Sequence, residues 1–193
     1  LPVEAQWSHT SSINVADFDN DGFEDLLLSQ NWYSIRPDLG RLDSSAGMIL
    51  LGEGQGRFQG ISSGRSGLEI LGECRNSIIA DFNHDGRSDI LATQTLGEAQ
   101  LYFGQSEKRG IRLMFDNKIE LAKRLGCSVH LSYSNETSSP SRWLHSGDGV
   151  LAQCSSEAVL GFKEWPSSIQ IVWSDGEMQT ILVRPEIYEY TAQ

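Results

Sequence analysis

The sequence predicts an all-β fold built from propeller-type blades. Two segments of the chain repeat one another, nineteen glycines supply the turns that short strands require, and apolar residues recur with a period of two or in short runs rather than at helical spacing. At 193 residues, with 39% hydrophobic and 21% charged residues, the chain has the composition of an ordinary globular protein and is long enough to bury a core.

The repeat comprises residues 11–29 and 75–93. The first copy runs from Ile13 through Asp17, Asp19, Asp21, Gly22 and Asp25 into Leu26-Leu-Leu. The second runs from Ile78 through Asp81, Asn83, Asp85, Gly86 and Asp89 into Ile90-Leu-Ala. The two glycines lie 64 residues apart, as do Asp17 and Asp81. Each copy reads as apolar strand, acidic loop, apolar strand, and a repeat of such a period points first to arrays and propellers. Between the copies, Met48-Ile-Leu-Leu-Gly-Glu-Gly-Gln-Gly-Arg-Phe58 reads as a buried strand, a glycine-rich turn and a new strand. After Gln100-Leu-Tyr-Phe103 the repeat ends, which places a domain boundary within residues 104–116, taken as 1–110 and 111–193.

The later region has its own strand signals. From Gly126 to Tyr133 the apolar positions Cys127, Val129, Leu131 and Tyr133 alternate with Ser128, His130 and Ser132, as in a half-buried strand. Arg142–Ser146 and Val150–Cys154 flank Gly147-Asp148-Gly149, and Ile169–Trp173 and Met178–Leu182 flank Ser174-Asp175-Gly176-Glu177, giving two hairpins. Helical signal is confined to Lys118–Leu125, about two turns.

Counted from Asp17, acidic side chains occupy positions 1, 3, 5 and 9 of the first loop (Asp17, Asp19, Asp21, Asp25), with Gly22 at position 6 and the Phe23 carbonyl available at position 7. Asp81, Asn83, Asp85, the Arg87 carbonyl and Asp89 repeat the scheme. Alternate oxygen donors on a tightly curled loop converge on one point, and hard oxygen ligands favour Ca²⁺, so two calcium sites are expected. An EF-hand needs a Glu at position 12, where this chain has Leu28 and Ala92, and both loops run into strand rather than helix. The first loop, with four carboxylates against three, is expected to bind more tightly. An acidic surface turn is the alternative, but two copies with the same ligand spacing argue against it.

A net charge of −11 and a pI near 4.7 disfavour nucleic acid and anionic lipid as partners. Two divalent cations would offset four of those charges. No apolar run approaches the roughly 20 residues that span a bilayer, so membrane insertion is not expected. The start at Leu1 rather than Met suggests excision from a longer protein. Cys74, Cys127 and Cys154 form no zinc pattern; a Cys127–Cys154 bridge and small buried thiols both remain open. Asn135-Glu-Thr137 is a sequon for a host that glycosylates such sites.

The two acidic loops, with the Leu50-to-Phe58 stretch, resemble FG-GAP/VCBS-type repeats, the calcium-loop blades also found in integrin α-chain propellers. Residues 126–181, through Arg124-Leu-Gly-Cys-Ser-Val, Arg142-Trp-Leu-His-Ser-Gly-Asp-Gly-Val-Leu-Ala-Gln and Ile169-Gln-Ile-Val-Trp-Ser-Asp-Gly, resemble the ASPIC/UnbV domain of the cartilage acidic protein-like, bacterial secreted type. The resemblance implies a partial β-propeller followed by a small β-sandwich or barrel-like C-terminal domain, since a propeller needs typically four to eight blades.

Catalytic signals are thin. Gly60-Ile-Ser62-Ser-Gly64 matches a nucleophile-elbow pattern but reads as loop. His145 beside Ser146 and Asp148 reads as a hairpin polar cluster, and His84, at loop position 4, is expected to point outward. Trp32, Tyr33 and Arg36 follow the first repeat and are candidate ligand contacts, with packing beneath the loop as the alternative. The expected function is a non-enzymatic, calcium-binding recognition or adhesion module of a larger secreted, surface or periplasmic protein, meeting a protein or glycan. A structural spacer and a non-catalytic part of a polysaccharide-acting enzyme are the alternatives.

Overall fold

The computed structural model describes residues 1–33, 45–145 and 157–193. A 3-10 turn at Val3–Gln6 precedes β1 (Thr10–Ala16), β2 (Asp25–Gln30), β3 (Met48–Gly54) and β4 (Arg57–Ile61), which form one antiparallel sheet in chain order. A single helical turn, α1 (Ser63–Ser66), leads to β5 (Cys74–Ala80), β6 (Asp89–Gln94) and β7 (Gln100–Tyr102), a second sheet in chain order. The turn α1 stops at Gly67, whose φ of 69° is a left-handed conformation that glycine adopts without strain.

The remainder comprises β8 (Ile111–Phe115), α2 (Leu121–Arg124), β9 (Ser128–Ser132), β10 (Arg142–Trp143), β11 (Ala158–Leu160), β12 (Ser168–Val172), β13 (Met178–Leu182) and β14 (Glu189–Ala192). They form sheets of order β10-β9-β12-β13 and β11-β8-β14, the second containing a parallel pair, β14 with β8. Each described sheet draws its strands from one side of residue 110. Strands β12 and β13 form the hairpin around Ser174–Glu177, whereas β10 pairs with β9 at Val129 and Ser128.

The expected architecture is overturned. The four sheets are open and uncurled, and among the described residues neither a propeller ring nor a barrel closes. The chain is also mixed rather than all-β, with α1, α2 and the 3-10 turn set between the strands. The physical reason lies in the count of repeats. Two meander sheets meet side by side through β1 and β5, and two units are too few to encircle an axis. The C-terminal sheets instead face each other across one core, in which Ile111, Leu113, Val129, Leu131, Ile169 and Ile171 are fully or almost fully buried.

The seam between β1 and β5 is polar. Asn14, fully buried, donates from Nδ2 to the Ser77 carbonyl at 2.9 Å, and the Ser29 and Ser77 hydroxyls lie 2.9 Å apart. The alternation on β1 is therefore inverted, with Ser12 and Asn14 inward and Ile13 and Val15 outward at 48% and 37% exposure. This seam sets the two acidic loops, which follow β1 and β5, next to each other.

Candidate metal centre

Both acidic loops are held by the same five hydrogen bonds. In the first, Asp21 N donates to Asp17 Oδ1 and Asp19 Oδ1, both at 3.1 Å, and Gly22 N donates to Asp17 Oδ2 at 2.9 Å. Phe18 N and Gly52 N donate to the two oxygens of Asp25 at 2.8 and 2.7 Å. In the second, Asp85 N donates to Asp81 Oδ1 and Asn83 Oδ1 at 3.0 and 3.1 Å, Gly86 N to Asp81 Oδ2 at 2.9 Å, and Phe82 N and Gly104 N to Asp89, each at 2.8 Å. Position 6 is glycine in each because the backbone turns through positive φ there, 93° at Gly22 and 79° at Gly86. Position 4 is also left-handed, at Asn20 and His84, with φ of 56° and 60°.

Asp17, Asp19 and Asp21 converge. Among the described residues they form the one group of acidic, His or Cys side chains whose ligand atoms all lie within 4.8 Å of one another. Three hard oxygen donors at that spacing, on a loop whose amides fix each carboxylate, can hold a metal ion. The electrostatics fit such an occupant. Burial, then repulsion from Asp21 and Asp17, pushes the Asp19 carboxyl up from its ordinary range. Burial likewise pushes Asp25 up to about 7, against the pull of its two amide donors. Both carboxyls are held above their ordinary range by burial and by neighbouring carboxylates.

Asp25 braces the loop against β3 through Gly52 instead of joining the triad. Phe23 closes the turn, its amide donating to Asp21 Oδ1 at 2.8 Å and its ring lying 4.2 Å from the Lys163 ammonium. In the second loop, Asp85 faces the Asn83 amide at 3.0 Å and the Arg87 guanidinium at 3.1 Å. Arg87 also donates to the Ser106 carbonyl at 2.6 Å. Asp81 and Asp89 keep the positions of Asp17 and Asp25, so the second loop has the scaffold without a matching convergence of carboxylates.

Several residues at the centre carry no signal in the spacing. Asn20 is fully buried, and its Nδ2 donates to the carbonyls of Gly86 and Lys108 at 3.3 and 3.2 Å. Position 4 therefore turns inward in the first loop, while His84 is exposed. Ser106 Oγ donates to the Asp19 carbonyl at 2.8 Å. Gly161 packs so closely that a Cβ there would stand 2.1 Å from Asp17 Oδ2.

The candidate ligand aromatics are engaged internally. Trp32 lies 4.7 Å from the His9 ring, with the Arg75 guanidinium 5.8 Å from its centroid. Tyr33 bonds through its hydroxyl to the Leu71 carbonyl and through its amide to Glu73 at 2.9 Å. Arg36 lies outside the described residues, as do Ser146, Asp148 and Cys154. Cys74 and Cys127 are buried free thiols. Ser62 does lie between a strand, β4, and a helical turn, contrary to the loop expected there. Its φ of −67° and ψ of 152° are nonetheless relaxed, unlike the strained turn of a nucleophile elbow.

No family model matches the chain, and no curated protein matches it.

Proposed function

We propose that the chain is a calcium-stabilised module that does no chemistry itself and presents its surface to a protein or glycan outside the cell. The observation that carries this reading is the convergence of Asp17, Asp19 and Asp21 on one point. Calcium suits the set because the donors are all hard oxygens on a loop whose turn is fixed by backbone amides and a glycine. The second loop, built from the same five hydrogen bonds, is the weaker of two sites. Asn83 replaces a carboxylate there, and among the described residues the carboxylates of that loop do not converge as those of the first do. The cation adds its binding free energy to the folded state alone, which makes its role structural.

A structural spacer is the second reading, and the internal engagement of Trp32 and Tyr33 favours it over recognition through those side chains. Calorimetric titration with CaCl₂ tests the metal claim. Two binding steps are expected, with Asp21→Asn abolishing the tighter and Asp85→Asn the weaker; absence of binding heat refutes it. Glycan and protein binding screens with and without calcium separate recognition module from spacer. Turnover of a polysaccharide by this chain would overturn the non-enzymatic part of the proposal.

A further inference from the structure

Each acidic loop is met by an arginine of the C-terminal sheets. Arg142, on β10, donates from Nη2 to Asp17 Oδ2 at 2.7 Å and from Nη1 to the Val159 carbonyl at 2.7 Å. Asp17 is fully buried and the Arg142 side chain is 13% exposed. Arg112, on β8, sits between Glu157 and Glu189 at 3.0 and 3.3 Å, with its Nε 3.9 Å from Asp81 Oδ2. Asp17 and Asp81 are the equivalent first residues of the two loops, and the same oxygen, Oδ2, is approached in both.

The oxygen identity decides what the guanidinium does. Asp17 Oδ1 and Asp19 Oδ1 each lie 3.1 Å from one donor, Asp21 N, which draws these two oxygens together. Asp17 Oδ2 accepts from Gly22 N and Arg142 and abuts Gly161. The guanidinium therefore holds Oδ2, and Oδ1 is the oxygen that shares the Asp21 amide with Asp19. A carboxylate held by two donors on one oxygen has a fixed torsion, and the other oxygen is presented in one direction. Outer-shell hydrogen bonds of this kind tune ligands without touching the metal.

We propose that Arg142 is the positioning residue of the first cation site. This rests on the metal reading above. It makes the first loop complete only when the C-terminal sheets are docked on it, although Arg142 lies 125 residues beyond Asp17. Linkage is reciprocal, so a cation in the first loop also strengthens the contact of β10 with that loop.

The test measures calcium affinity by calorimetry in an Asp85→Ala background, which leaves the first loop as the site read. Arg142→Ala is expected to lower that affinity about ten-fold or more. Arg142→Gln keeps an amide donor without the charge and should fall between Ala and the parent. Arg112→Ala in the same background should leave the first loop within about two-fold, a result that general loosening of the C-terminal sheets would not give. If Arg142→Ala does not fold, as judged by circular dichroism, Arg142→Gln decides. Equal or tighter binding by the Ala or Gln variant overturns the brace, tighter binding by showing that the guanidinium competes with the cation. A parent that binds no calcium refutes the metal reading and this inference with it, whereas a parent that binds alongside unchanged variants refutes the brace alone.

Discussion

Asn20 donates its side-chain amide to the carbonyl of Gly86 at 3.3 Å, tying the first acidic loop to the glycine on which the second turns. The two loops are one joined structure, closed further by the Ser106 hydroxyl on the Asp19 carbonyl and by Gly110 N on Gly86 O at 2.9 Å.

Asn20→Ala removes both amide hydrogen bonds and places a residue less suited to left-handed backbone at φ 56°. A loss of about 2 kcal/mol is expected in urea unfolding. The same variant should weaken the calcium-dependent increment, because its loss releases one loop from the other. A variant within about 0.5 kcal/mol of the parent would show that the tie carries no stability.

Gly161→Ala brings a methyl 2.1 Å from Asp17 Oδ2 and 2.6 Å from Asn20 Cα. Neither neighbour can withdraw, since the first is bound by Gly22 N and Arg142 and the second is backbone. Overpacking of this kind costs about 1–3 kcal/mol, and here it also displaces the first ligand, so calcium affinity should fall together with stability. Melting and titration on the same sample check the two effects.

Asp25 gives a signed pH dependence. Its carboxyl is pushed from 3.8 up to about 7 in the folded chain, chiefly by burial. A folded value above the unfolded one means that its contribution is fully present below pH 4 and is lost as pH rises through 7. In metal-free buffer the parent should therefore lose stability relative to Asp25→Asn between pH 4 and 8. The change is on the order of 4 kcal/mol at most. Saturating calcium should flatten or reverse that trend by compensating the charge. A metal-free difference that does not vary with pH would place Asp25 in an ordinary environment.

Cys74 and Cys127 should resist alkylation in the native state at pH 8. Both are fully buried and shielded from reagent, and burial pushes the Cys127 thiol up to about 11, so little Cys127 thiolate forms. Mass spectrometry after iodoacetamide treatment, native and then in urea, should place both modifications in the unfolded sample alone.

The local parts of the centre were legible in the sequence because they are encoded locally. Alternating Asp and Asn oxygens bond to amides two, four and five residues on, and Gly22 and Gly86 supply the turn. Residue spacing thus specifies most of each loop without reference to the rest of the chain. The architecture was not legible, because a repeat specifies a unit and says nothing of how many units close a ring. The polar seam also defeats a reading by alternation: on β1 the apolar Ile13 and Val15 face outward, since Asn14 bonds across to Ser77 of β5 and, with Ser12, holds the inner positions. Arg142, Gly161 and Asn20 left no trace in the spacing, because their partners are distant in the chain and only the folded sheets bring them together.

Thermal unfolding in millimolar calcium and again after addition of excess chelator is the most direct test of the cation's role. At a calcium concentration about 100 times the dissociation constant, one site adds about 2.7 kcal/mol, which for a chain of this size raises the midpoint by roughly 5–10 °C. The midpoint should rise by that amount, fall back on addition of chelator, and show no shift when Asp21 and Asp85 are both replaced by Asn. Superimposable melts with calcium and with chelator would contradict it.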